Sequence, residues 1–431
     1  MNREPTPTCF IHFDKNLCNS CIDCVRACPT KAIRIRNNQT IRMVDQCIGC
    51  GECIRVCPKG AMTAATATLA SLEKDKIPVA LVHPTLYAQF PGIAPMDLLA
   101  AVKTLGFHHV MDLSHYIEMF QCATEDFIRR NRVSQQTPWP LISPFCPVAI
   151  HLIAVLFPSL LHHILPIMRP VALAGREIKR RLAKEYRVLE NEVVTYYITP
   201  NRASYPFERS YVDRALGIND VYAQLIRQIE QFENNDSISS LQDQFNITVT
   251  GNGLMWAISG GEIAGLNIEP TLAVSGIRET MAYLEKIELG LFGDTEYIEL
   301  RTCPDGCVGG VLTGIDRHLA KSAVLRMVPK LDSGRRLPRE KILRLYAKGR
   351  FMAETMPSDL EQLLGTTKEH LSLESLQKVE NLLKSINGMN CAACGSPDCR
   401  TFCEDVVMGR AALRDCLLIW ARENGGDTSS S

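Results

Sequence analysis

The cysteines of this 431-residue chain are not scattered. Eight of the eighteen fall into two matching runs near the N-terminus: Cys18, Cys21, Cys24, Cys28-Pro29 and Cys47, Cys50, Cys53, Cys57-Pro58. Each run reads C-x2-C-x2-C-x3-C-P. Thiolates at this spacing suit the irons of [4Fe-4S] clusters, and eight of them supply two clusters. A structural zinc uses separated C-x2-C pairs, which leaves the third cysteine and the proline of each run unexplained. Whatever this segment folds into must bring those sulfurs together in fours, and that points to electron transfer.

The rest of the composition narrows the class. Lysine plus arginine equals aspartate plus glutamate, 47 against 47, so no global field favours nucleic acid or an anionic membrane. Met1 to Cys9 is polar and holds no apolar signal core, and thiols on this scale fit a reducing cytoplasm. The most apolar stretch, Leu141 to Met168, is broken by Pro144, Pro147, Pro158 and Pro166 and carries His151, His162 and His163. A spanning helix needs about 20 apolar residues with few breaks, so the stretch reads as a buried globular segment.

The organisation follows from pattern. Residues 1–63 form a duplicated cluster-binding domain, and KAIRIRNNQTIRMVD alternates as a hairpin around Asn37-Asn38. Thr63 to Lys76 is small and polar, as a linker would be. Residues 77–330 read as α/β. IPVALVHP, HHVMDLS, VVTYYITP and TEYIELRTC are strand candidates, and MDLLAAVKTLGF is a helix stopped at Gly106. In parallel α/β sheets functional loops follow the strands' C-terminal ends. Residues 331–371 form a basic helical linker; Arg335 to Arg350 suits a solvated face or a docking surface for an acidic electron carrier. Residues 372–424 form a small C-terminal domain, and 425–431 a disordered tail. No G-x-G-x-x-G follows a strand, so a nicotinamide or flavin site has no support.

The N-terminal runs resemble the bacterial two-cluster ferredoxin. That resemblance implies crossed ligation, with one [4Fe-4S] cluster on Cys18, Cys21, Cys24 and Cys57 and the other on Cys47, Cys50, Cys53 and Cys28. The C-terminal set Cys391, Cys394, Cys399 and Cys416, in GMNCAACGSPDCRTFCEDVVMGRAALRDC, resembles a small Fe–S domain of membrane electron-transport complexes and implies a third [4Fe-4S] cluster; Cys403 falls outside its pattern. RTCPDGCVGGVLT and ISPFCPVAIHLIAVLFPSLL resemble two signature loops of the [FeFe]-hydrogenase large subunit. LVHPTLYAQFPG, SYVDRALGINDVY and MWAISGGE occur in the expected order. The domain order resembles the divergent, sensory (group D-like) branch of that family. The fold expected is a hydrogenase-like two-lobed α/β core, flanked by an N-terminal 2[4Fe-4S] ferredoxin-like α+β domain and a small C-terminal helical Fe–S domain.

By that resemblance Cys146, Cys303 and Cys307 would hold a central cubane, with Cys307 bridging to a di-iron group carrying CO and cyanide. The departures are specific. Asn201 stands where the fourth cysteine belongs, Ser204 where a lysine does, Phe145 where a cysteine relays protons, and Arg301 where a methionine flanks the di-iron group. Asparagine lacks the soft thiolate that suits such an iron, and phenylalanine carries no transferable proton. Cys122 reads as a buried thiol, with a fourth-ligand role as its alternative. His83, His108 and His109 at strand ends read as satisfied structural residues, with proton relay or ligation as theirs. Three [4Fe-4S] clusters and a fourth, altered centre are therefore expected, in a redox relay or sensor. Its partner would be a ferredoxin-like donor or acceptor, or a signalling protein. The alternative is an active hydrogenase that oxidises hydrogen or reduces protons.

Overall fold

The computed structural model describes residues 10–36, 40–43, 46–203, 208, 210–233, 249–331, 337–353, 371–386 and 388–424. Asn37-Asn38, Ser204, most of the basic segment's flanks and the 425–431 tail lie outside them. The chain divides into two compact units. One joins the two chain ends, Met1–Ala64 with Gly365–Ser431, and the other is Ala65–Leu364.

In the first unit, β1 (Ile11–Phe13) pairs antiparallel with β4 (Met62–Ala64), and β2 (Ile33–Arg36) with β3 (Thr40–Met43). The β2–β3 register, Ile33 opposite Met43 and Arg36 opposite Thr40, is that of a hairpin. A short helix follows the second cysteine of each run, Asp23–Ala27 and Glu52–Arg55. The duplication reaches the backbone. Ser20, Ile22 and Lys31 have φ of 59°, 63° and 54°, and their counterparts Gly49, Gly51 and Gly60 have 69°, 79° and 63°. A left-handed residue in a turn can aim neighbouring N–H groups to one side, and here Ser20 N donates to Cys18 Sγ at 3.4 Å. The C-terminal segment adds helices Leu373–Ser385 and Cys399–Val407, which pack on each other through Val379, Phe402 and Cys403. Asp398 caps the second by accepting from Thr401 N at 2.8 Å.

The second unit holds two parallel sheets. β5 (Ile77–Val82), β6 (His109–Asp112), β8 (Val193–Thr199) and β9 (Arg214–Gly217) form one, in the order β6-β5-β8-β9. The other, ordered β10-β11-β7, contains β7 (Leu141–Ile142), β10 (Thr271–Ser275) and β11 (Tyr297–Arg301). Central strands of such sheets are covered on both faces, which explains the unbroken apolar run of β5. Val79 and Leu81 enter one core with Val193 and Tyr197, while Ala80 and Val82 enter another with Tyr196 and Ile198. The apolar stretch after β7 folds as helix Pro147–Leu156 and a 3-10 turn over Pro158–His163. Among the described residues no helix is long and apolar enough to cross a membrane.

Two segments read as connectors are packed instead. In the 63–76 stretch Leu72 is buried, Thr66 Oγ1 donates to Asp220 at 2.6 Å, and Ala67 N donates to Ala215 O at 2.9 Å. Small polar residues made it look free, but its few apolar ones are placed to reach the sheet. Within the basic segment, helix Arg339–Ala347 buries Ile342 and Tyr346 in the core of the second unit, and Arg339 pairs with Glu125.

Candidate metal centres

In the first unit the turns bring cysteines together in fours. Cys18, Cys21, Cys24 and Cys57 line one cavity with Phe13, Ile35 and Met62. Cys28, Cys47, Cys50 and Cys53 line a second with Ile11, Ile33 and Ile48. Cys391, Cys394, Cys399 and Cys416 line a third with Ala392, Phe402 and Leu417.

Electrostatics tie the members of each set together. Burial pushes the Cys24 thiol up to about 11, and the charges of Cys21, Cys18 and Cys57 push the same way. Burial likewise holds Cys50 well above the ordinary thiol, opposed by the Glu52 N–H and reinforced by Cys28 and Cys53. At Cys57 burial raises the thiol, but the N–H groups of Met62, Lys59, Ala61 and Gly60 outweigh it, and the net shift is downward. Such N–H donors to sulfur also tune a bound cluster. Cys394 is raised by burial, while the Ser396 N–H and the Arg36 charge act against it. Loading metal on these thiols must therefore release protons. Cys403 is fully buried, and burial first, then Cys399 and Cys416, raises it to about 11.

In the second unit the predicted residues follow the ends of parallel strands. Phe145 and Cys146 lie beyond β7, Cys303 and Cys307 beyond β11, and Asn201 beyond β8. Gly306 has φ +93°, and a Cβ there would come within 2.4 Å of Ser259 N, so this loop needs glycine. Leu312 N donates to Pro200 O at 3.0 Å, which sets the Cys307 loop beside the Asn201 turn. Asn201 Oδ1 accepts from Ala203 N at 2.7 Å. Cys146 Sγ lies 3.6 Å from Thr302 Oγ1. Cys303 is buried, with Gly306 N donating to its carbonyl at 3.3 Å. Cys122 is fully buried in the core against which Cys307 packs.

Arg301, the last residue of β11, dominates this site. Its guanidinium stacks 3.9 Å over the Phe145 ring and lies 5.6 Å from the centre of Trp256. Nη1 reaches Cys307 Sγ at 3.6 Å. Nη2 donates to Glu262 Oε2 at 2.9 Å and Nε to Glu299 Oε1 at 3.0 Å. Burial alone would lower Arg301, but Glu299, Cys307 and Glu262 raise it. Burial raises Glu262 to about 7 against the pull of Arg301, while Tyr297 and Ser143 donate to its Oε1 at 2.6 and 2.7 Å. Burial pushes Cys307 up to about 11, with Arg301 opposing. Beyond Phe145, Arg169 donates to the Phe145 carbonyl at 3.2 Å and pairs with the buried Glu208. His83, after β5, is buried with Nδ1 accepting from Thr85 N at 3.0 Å, and burial with the Arg301 and Arg169 charges lowers it to about 3. It stays neutral at any ordinary pH. The sequence singled out Arg301, but not Glu262, Glu299, Trp256 or the Arg169–Glu208 pair.

Three cavities, each lined by four cysteines, offer the donor set that suits iron–sulfur clusters. Family comparisons agree. Residues 10–58 match the 4Fe-4S dicluster domain, residues 76–204 the C-terminal domain of the iron only hydrogenase large subunit, and residues 386–418 a putative Fe–S cluster domain. Over residues 76–204 the chain thus resembles the [FeFe]-hydrogenase large subunit, with a dicluster ferredoxin-type segment before it and an Fe–S segment after it. No curated protein matches it. Similar solved structures include a variant of the [FeFe]-hydrogenase HydA1 from Chlamydomonas reinhardtii, at 14% identity and TM-score 0.45, covering 68% of this chain and 95% of that one. HydA(deltaEFG), from work on stepwise H-cluster assembly, is 14% identical with TM-score 0.44 over the same shares.

Proposed function

We propose that this chain is a redox relay or sensor built on a hydrogenase-like scaffold. In this reading residues 1–63 and 372–424 carry three [4Fe-4S] clusters, ligated as the three cysteine sets above. The 77–330 region carries a fourth, altered centre on Cys146, Cys303 and Cys307. What these clusters supply is one-electron storage at potentials set by ligation, burial and N–H donors to sulfur. The protein's part is to hold the thiolates, keep water off them and fix the donors. A ferredoxin-like protein of the cytoplasm, or a signalling protein that senses cluster state, is the partner.

The observation that carries the reading is the Arg301 guanidinium between Phe145 and the Cys307 sulfur. For Cys307 to join a cubane to a di-iron group, its sulfur needs an open outer side, and the di-iron group needs a proton relay. Here that side meets a cation that does not deprotonate in proteins, and the adjoining ring has no proton to give. A buried cation does suit an anionic cluster held by thiolates. The Asn201 side chain, bonded to Ala203 N in its own turn, adds support for a site short of a thiolate.

The deciding experiment measures iron and acid-labile sulfide per chain after anaerobic reconstitution, with infrared spectra after co-expression with hydrogenase maturation proteins. About sixteen irons, falling by about four in Cys307→Ala, and no CO or cyanide bands are expected. About twelve irons, unchanged in Cys307→Ala, would leave three clusters and remove the central one from the reading. Diatomic bands would replace it with an active hydrogenase.

A further inference from the structure

Strand β2 separates the cysteine cavities of the first unit, and its alternation assigns each face a task. Ile33 lines the cavity of Cys28, Cys47, Cys50 and Cys53, and Ile35 lines that of Cys18, Cys21, Cys24 and Cys57. Arg34 and Arg36 turn the other way. Arg34 Nε and Arg36 Nη2 each donate to Asp405 Oδ2 at 2.6 Å, on the helix that begins at Cys399. Arg36 also donates to Ser396 Oγ at 2.9 Å and to the Cys394 carbonyl at 3.2 Å.

The edge of the strand is engaged too. Ile35 N donates to Gly395 O at 2.8 Å, and a Cβ on Gly395 would come within 2.2 Å of Ile35 O. A second contact runs beside it. Arg26 Nη2 donates to Cys391 O at 2.9 Å, and Ala392, which lines the C-terminal cavity, is buried in one apolar cluster with Cys24 and Cys53. Ile35, which lines the Cys18 cavity, is thus bonded to the loop that carries Cys394, and Ala392 lines the C-terminal cavity.

We infer that β2 is the electron bridge of this unit, that the C-terminal centre exchanges electrons with the Cys18/Cys21/Cys24/Cys57 centre rather than with the Cys28/Cys47/Cys50/Cys53 centre, and that Arg36 is the positioning residue of the pair. The inference rests on the reading that these cavities carry clusters. The step is a single electron leaving one reduced centre for its oxidised neighbour. No bond forms or breaks, and the electron comes from an external one-electron reductant. Two guanidinia share one carboxylate, so a net positive charge is buried beside the C-terminal centre. Such a charge favours the reduced, more negative state of the nearest cluster.

The test uses full-length, anaerobically reconstituted protein titrated with dithionite and followed by EPR, in a Cys307→Ala background that silences the central site. With Cys50→Ala added, the C-terminal and Cys18 centres remain, and a spin–spin splitting is expected when both are reduced. With Cys21→Ala instead, the C-terminal and Cys28 centres remain, and the splitting is expected to be much weaker. Arg36→Gln should move the C-terminal midpoint to lower potential and leave the Cys28 centre unmoved, with Arg36→Lys restoring it. Stronger splitting in the Cys21→Ala protein, or a C-terminal midpoint indifferent to Arg36→Gln, overturns the inference. If Arg36→Gln loses its iron, the splitting arm, which keeps Arg36, decides alone. If Cys399→Ala costs no iron, the functional reading of the C-terminal segment fails first and takes the bridge with it.

Discussion

A guanidinium wholly out of water survives in a core only when its charge is answered, and Arg301 is answered by Glu262 and Glu299, both fully buried. Removing one partner of such a group leaves the others stranded, at about 3–5 kcal/mol. Arg301→Met, which installs the residue that the resemblance leads one to expect there, should therefore lower the unfolding free energy read from urea titration by that order. Adding Glu262→Gln and Glu299→Gln should recover most of the loss. An equal loss in the triple variant would mean that stacking on Phe145, not charge, is what holds the site. From sequence Arg301 was visible as an oddity in a signature loop, but its partner was not. Glu262 lies 39 residues upstream and meets Arg301 only after β11 has taken its place.

The duplicated cysteine loops make their demand on the backbone at the level of the turn. Their spacing announced the duplication, and the hairpin between them was readable from alternation around Asn37-Asn38. Left-handed geometry at matched positions was not readable, because the first copy meets it without glycine. Ser20 is exposed and offers the cleanest test, since it occupies at φ 59° the place that Gly49 takes at 69°. A non-glycine residue there costs about 1–2 kcal/mol. Ser20→Gly should raise the guanidinium midpoint at which visible cluster absorbance is lost, by about 1 kcal/mol of stability. No change would mean that the Ser20 conformation is not strained. The 63–76 stretch misled for a simpler reason. Its composition is that of a linker, and only the sheet it meets reveals that Leu72 is a core residue.

At the scale of the molecule, the two ends of the chain complete one compact unit, and Ala65–Leu364 forms the other. Each cluster segment could be recognised alone, yet their union could not. Arg34 and Arg36 reach Asp405 across 371 and 369 positions, and in the sequence they look like ordinary polar residues of a hairpin. A chain ending at Leu364 should lose its N-terminal cluster absorbance in air several-fold faster than the full chain, since the β2 edge and two arginines lose their cover. Equal bleaching rates would show that the N-terminal clusters need no such cover.

A unit closed by both chain ends also imposes a timetable on manufacture. Ribosomes add about 5–20 residues per second, and roughly 300 residues separate the two halves, so the hairpin waits some 15–60 s for its partner. Throughout that interval the N-terminal thiols are already clear of the ribosome, able to meet iron or oxygen before the C-terminal loop exists. Cluster insertion into the first half and translation of the last seventy residues are therefore in competition. Slow elongation or scarce iron would yield chains whose two ends matured out of step.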